Sequence, residues 1–195
     1  MLLQHRKRLM ALAGLVLAGY LIVHMFSNLL YFNAERFNSF YQLYNLPFIR
    51  WPLLLLVLAA LALHVWGAIA IRRHNAKVRP VAYHKRDYLQ PPKALVTLSI
   101  ILIGLFILLH IVQTLQFDPQ DAYGETLALF ASAGMLLIYL AGLLLIGMHL
   151  QHSLNNVLQT LGVTSKTCYP LLVTLIALLM LGFAAVPVAA YLGQG

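Results

Sequence analysis

Charge is scarce in this chain, and negative charge is scarcer still: 195 residues carry 13 Lys and Arg against 5 Asp and Glu. Only 9% of the residues are charged and 62% are apolar, with a mean hydropathy of +0.83. Soluble domains hold roughly a quarter charged residues, so a water-solvated globule is excluded and a bilayer protein is implied. Cysteine is nearly absent. Lone Cys168 rules out an internal disulfide, and without a CxxC there is no thiolate cluster for iron-sulfur or zinc; the residue reads as helix-end packing. A glycine-rich flavin fingerprint is missing as well.

Long apolar runs are what the chain has instead. A span of about 30 Å of hydrocarbon needs about 20 residues, and runs of that length lie near 9–31, 51–71, 94–116, 127–150 and 169–191. The expectation is an all-α membrane protein, one domain over 1–195, with five transmembrane helices. The first run follows a basic segment but is too long for a signal core and has no small-residue cleavage site, so it is read as a retained anchor. Pro52, Pro91, Pro92 and Pro170 mark helix starts, where a missing N–H costs nothing.

A net charge of +8 raises nucleic acid as a partner, and the distribution of that charge decides against it. Eleven of the 13 basic residues fall at Arg6, Lys7 and Arg8, between Arg72 and Lys93, and at Lys166. Five alternating helices put these segments on one side and leave only Arg36 and Arg50 opposite. The positive-inside rule then predicts a cytoplasmic N-terminus and an outer C-terminus. The basic inner face is a docking surface for a soluble partner or for anionic membrane lipid, or the topology signal alone. The outer segment FNAERFNSFYQLYNLPFIRW reads as an interfacial stretch with Tyr41, Tyr44 and Trp51 as belt residues.

Four histidines, His24, His64, His110 and His149, each fall inside a different apolar run. A titratable side chain at membrane depth loses hydration and needs a partner, which makes it a functional candidate. At 1.5 Å per residue, His24 lies about 24 Å beyond Arg8 and His110 about 26 Å beyond Lys93, both near the outer surface. His64 lies about 12 Å before Arg72 and His149 about 9 Å before Asn155, both near the inner surface. Two level pairs result, His24 with His110 and His64 with His149, each pair divided between two helices.

A lone histidine of this kind is ordinarily satisfied by an interhelical hydrogen bond. Two level pairs suit the axial positions of two b-type haems held in a helix bundle. The fold expected is a haem-binding four-helix core with a fifth helix. His152, three residues after His149, is a competing ligand or a haem-propionate partner. Gly19, Gly67, Gly104, Ala141, Gly142 and Gly147 lie near the ligands and would admit a macrocycle, or serve simple helix packing. His5, His74 and His84 lie among the inner charges and read as solvated.

The motifs KRLMALAG (7–14), HMFSNL (24–29), AERFNSF (34–40), VRPVAY (78–83), HLQHSLNNVLQTLG (149–162) and GFAAVPV (182–188) resemble those of a known family. It is the five-helix, di-haem cytochrome b membrane-anchor subunit of succinate:quinone oxidoreductases, found in succinate dehydrogenases and fumarate reductases. The resemblance covers nearly the whole chain, and the helix-four motif is the most specific.

The resemblance implies that His24 and His110 hold the outer, distal haem while His64 and His149 hold the inner, proximal one, with His149 favoured over His152. It further implies a flavoprotein subunit with FAD and an iron-sulfur subunit on the cytoplasmic face, and electron transfer to or from a menaquinone-like quinone in a prokaryotic inner membrane. This chain would not act on dicarboxylates alone. Asn28 and Glu35 are the quinone-site candidates, against packing and a solvated loop carboxylate respectively. Departures from the family occur at Ser153, often Gly, at Ser99 and Ile100, often Thr-Gly, and at Gly147, a glutamate in some relatives. The last makes a proton route through that carboxylate doubtful. Alternatives are the cytochrome b anchor of a hydrogenase or formate dehydrogenase, against which VRPVAY and HLQH argue, and a non-haem proton or metal transporter with relay histidines.

Overall fold

The computed structural model describes residues 3–78, 93–160 and 168–193, and among these every regular element is helical. The helices are α1 (Leu3–Leu29), α2 (Ala34–Tyr44), α3 (Pro47–Val78), α4 (Lys93–Leu115), α5 (Ala122–Phe130), α6 (Ala133–Thr160) and α7 (Cys168–Tyr191), with a 3₁₀ turn at Leu30–Phe32. Five of them, α1, α3, α4, α6 and α7, are long and apolar enough to cross a bilayer. The expected all-α, five-span architecture is present.

Burial is sparse, as suits helices long and apolar enough to cross a bilayer. Leu55, Leu105, Leu144 and Leu181, on four different helices, are each more than half exposed in the isolated chain. Apolar surface on every side is unsuited to water and matched to lipid tails.

Two short helices correct the expected boundaries. The apolar run near 127–150 is two elements, because Asp121 caps α5 by accepting from Gly124 N at 3.0 Å and α6 begins only at Ala133. No charge or proline marks the joint, which the expected single run spans. The third helix starts at Pro47, five residues before Pro52, which sits inside the helix; at that depth a proline removes one backbone bond of the second turn. Pro91 and Pro92 lie outside the described residues, as do VRPVAY beyond Val78 and the loop carrying His84.

The outer segment folds as α2 and packs inward. Asn33 caps it by accepting from Arg36 N at 2.9 Å, and Glu35 in the first turn complements the positive helix start. Tyr41, expected in an interfacial belt, donates its hydroxyl to the Thr114 carbonyl at 2.7 Å, while Arg50 donates to the Leu115 carbonyl at 3.3 Å. These satisfy carbonyls that the last turn of α4 leaves without helical partners. Burial pushes the Tyr41 phenol up to about 12 against the opposing pull of the Arg50 charge. Trp51, by contrast, is exposed, as a belt residue would be.

The principal core lies at this end of the bundle. Tyr31, fully buried, clusters with Phe37, Ala122, Phe130, Tyr139, Val186 and Ala190, and stacks on Tyr123 at 4.9 Å. Asn38 ties α2 to α5 by accepting from Tyr123 N at 2.8 Å. We call this the capped end. The opposite, basic end is joined by Arg72 donating to Thr97 Oγ1 at 3.0 Å and Gln151 donating to Tyr169 Oη at 3.1 Å. Between the ends α1 packs on α3 and α7, and α6 packs on α7 and α4.

Candidate haem-ligand sites

All four intramembrane histidines point into the bundle, and they meet in the two pairs that depth predicts. The His24 and His110 ring centroids are 5.7 Å apart, and those of His64 and His149 are 6.1 Å apart. The helices that carry each pair, α1 with α4 and α3 with α6, are not among the pairs that pack closely along their lengths. The rings therefore reach across the bundle diagonals and close a distance that the backbones leave open.

His64 is held best. Its Nδ1 lies 3.1 Å from the Met10 carbonyl oxygen, and because a carbonyl can only accept, Nδ1 carries the proton and Nε2 keeps its lone pair. Gly14, one turn further along α1, is the clearance for this ring: a Cβ there would lie 3.2 Å from His64 Cε1 and Nδ1. Beside it Gly67 lets α3 approach Met10, whose Cβ would lie 2.9 Å from an added Cβ.

His110 has a longer chain of support. Tyr139 donates to Gln113 Oε1 at 2.8 Å, so its oxygen is free to accept from His110 Nδ1 at 3.4 Å, a weak bond at the long end of the range. Here too Nε2 keeps its lone pair. His24 is framed by rings, stacked on Tyr20 at 5.3 Å and tilted against Phe183 at 5.6 Å.

His149 differs, because its Nε2 is 3.3 Å from the Ser153 hydroxyl one turn away. That hydroxyl competes for a nitrogen lone pair. His152 is exposed, while His149 is the ring that meets His64.

The donor set fits haem. Two imidazoles on opposite sides of one metal ion, with bonds of about 2.0–2.1 Å, have ring centroids roughly 6 Å apart. Among the described residues no three His, Cys, Asp or Glu side chains converge, so a bare ion would find two protein donors at either pair. Structural and catalytic zinc ask for three or four; haem brings its own equatorial nitrogens and takes axial ligands from the protein.

The remaining candidates sort differently. Gly142 receives the Phe106 ring, Gly147 packs against Met180, and among the described residues Gly19 and Gly104 have no neighbour within 4 Å of an added Cβ. Gly67, Gly142 and Gly147 are thus helix-packing positions. Asn28 is half-buried and Glu35 is exposed at the start of α2; among the described residues no hydrogen bond or ring contact joins either to the histidines. Sequence reasoning missed Met10, Gly14, Tyr20, Gln113, Tyr139 and Phe183 as neighbours of the rings. Tyr20 and Gln113 sit four and three residues from a histidine on the same helix, a spacing that signals contact; the others are distant in sequence.

Comparison with protein-family models, with curated proteins and with solved structures returned no match.

Proposed function

We propose that this chain is a di-haem cytochrome b that anchors a succinate:quinone oxidoreductase in the membrane and carries electrons between its iron-sulfur subunit and quinone. One observation carries the reading: two imidazole pairs, each spanning a bundle diagonal, with centroids 5.7 and 6.1 Å apart.

The narrower assignment is supported by the sequence motifs, two of which supply surroundings of the rings. KRLMALAG contributes Met10 and Gly14, which receive His64, and GFAAVPV contributes Phe183, which lies against His24. Bound haem supplies a reversible one-electron carrier at each pair. The protein's part is to hold and orient the ligands. The Met10 carbonyl fixes the His64 tautomer, Tyr139 does the same for His110, and Tyr20 with Phe183 sets the plane of the His24 ring.

In this reading the basic end faces the cytoplasm and receives the iron-sulfur and flavoprotein subunits, which hold the clusters and FAD. The capped end faces outward in a prokaryotic inner membrane, with a menaquinone-like quinone near Asn28 and Glu35. Dicarboxylate chemistry belongs to the partners. A reduced-minus-oxidised spectrum with haem quantitation of the purified chain tests it: about two b-type haems per chain are expected, and the lack of a reduced b-type band would sink the proposal.

A further inference from the structure

At the basic end a cleft of about 360 Å³ opens between the start of α1 and one face of α3, lined by Arg6, Trp66, Ile69, Ala70, Arg73, His74 and Lys77. The six α3 residues recur at helical spacing and are centred about half a turn away from His64 at 100° per residue. The cleft is therefore separate from the histidine pairs and opens outward, with Trp66 and Ile69 nearly half exposed.

Its chemistry is graded along α3. Trp66, Ile69 and Ala70 lie on the bundle side, and Arg73, His74 and Lys77 follow toward the helix end. Arg6 joins the two halves: its guanidinium lies over the Trp66 ring at 5.9 Å, and among the described residues its Nε, itself buried, has no hydrogen-bond partner. Arg6, Arg73 and Lys77 thus set three cationic side chains on one cleft, and positive charge gathered in this way attracts an anionic group. None of the lining residues carries a carboxylate. The described acids, Glu35, Asp118, Asp121 and Glu125, all belong to the capped end.

We infer that this cleft is a binding site for an anionic phospholipid, with the phosphate taken by Arg6, Arg73 and Lys77 and the acyl-chain side by Trp66, Ile69 and Ala70. A lipid is the ligand that matches both halves. Free phosphate would use only the cations, and an acidic protein surface would leave the apolar wall at membrane depth unmatched. Basic pockets at helix ends facing an anionic leaflet have this preference.

Native mass spectrometry of the full chain in neutral detergent, titrated with phosphatidylglycerol or phosphatidylcholine, tests the inference. Phosphatidylglycerol should be retained preferentially, and Arg73→Gln and Lys77→Gln should each weaken it about fivefold. Arg36→Gln, at the capped end, should leave binding unchanged and controls for loss of net charge. Equal retention of the two lipids, insensitivity to Arg73→Gln with Lys77→Gln, or equal loss with Arg36→Gln would overturn the site. Displacement of the lipid by millimolar inorganic phosphate would overturn the lipid as occupant in favour of the free anion. Binding of an acidic polypeptide that abolishes lipid retention without any phosphatidylglycerol preference would overturn it in favour of a protein partner. Since the readout is lipid mass, it is independent of haem content.

Discussion

His64 on α3 and Gly14 on α1 form a ring-and-clearance pair: the imidazole lies where a Cβ on residue 14 would be 3.2 Å from two of its atoms. The Met10 carbonyl then fixes the ring by accepting from Nδ1 at 3.1 Å. Position 14 therefore governs a proposed haem ligand 50 residues away. Gly14→Val should displace the ring and remove the inner haem while the outer one stays, so haem content falls from about two per chain to about one. Gly14→Ala, which asks the ring to give by only tenths of an ångström, should retain both with a perturbed inner spectrum.

The Tyr139 hydroxyl accepts from His110 and donates to Gln113. An acceptor on the distal imidazole nitrogen raises ligand basicity and favours the ferric state. Tyr139→Phe should therefore raise the midpoint potential of the outer haem and leave the inner one unchanged. The rise should be about 20–65 mV, the one-electron equivalent of a net hydrogen bond worth roughly 0.5–1.5 kcal/mol. Redox titration followed at the two haem bands measures it.

Ser153 holds its hydroxyl 3.3 Å from His149 Nε2. Removing a competitor for the ligand lone pair should tighten the inner site, so Ser153→Ala should bind the inner haem up to about fivefold more tightly, the factor set by one net hydrogen bond. Haem titration of the haem-free chain gives the comparison. In the same assay His149→Ala should abolish the inner haem, and His152→Ala should only perturb it.

Tyr41 anchors α2 to the end of α4 by donating to the Thr114 carbonyl. Tyr41→Phe leaves that carbonyl without its partner and should lower stability by about 1 kcal/mol, read from thermal unfolding in detergent. The pH dependence has a definite sign. Burial raises the folded phenol to about 12 from an ordinary 10.0, so the stabilisation is complete below pH 10.0 and is lost as pH rises through about 12.

The histidine pairing was legible in the sequence because helical rise is constant: counting residues from a charged end gives depth, and depth sorts four rings into two levels. The surroundings of the rings were not, since Gly14, Phe183 and Tyr139 reach their histidines only after helices distant in sequence pack together. Boundaries failed where hydropathy carries no punctuation. Ala131 and Ser132 separate α5 from α6 with no charge or proline between them, and the local signs are capping residues: Asp121, which accepts from Gly124 N, and Ser132, which accepts from Met135 N at 3.5 Å. Proline misled at α3 because Pro47 and Pro52 both suit a helix start, and backbone bonds from Ile49 and Arg50 to the Leu46 carbonyl place it at the earlier one. The α2 segment kept its interfacial composition but turned Phe37 into the cluster around Tyr31 and Tyr41 toward the Thr114 carbonyl of α4.

The proposed sharing of each haem by one named pair of histidines is tested most directly by alanine substitution of His24, His64, His110 and His149 one at a time. Haem-resolved spectra of His24→Ala, His64→Ala, His110→Ala and His149→Ala should fall into two classes. His24 and His110 variants should lose the same haem, His64 and His149 variants the other, and each variant should keep about one haem per chain. A variant that retains both haems, or a pair whose members remove different haems, would contradict the account.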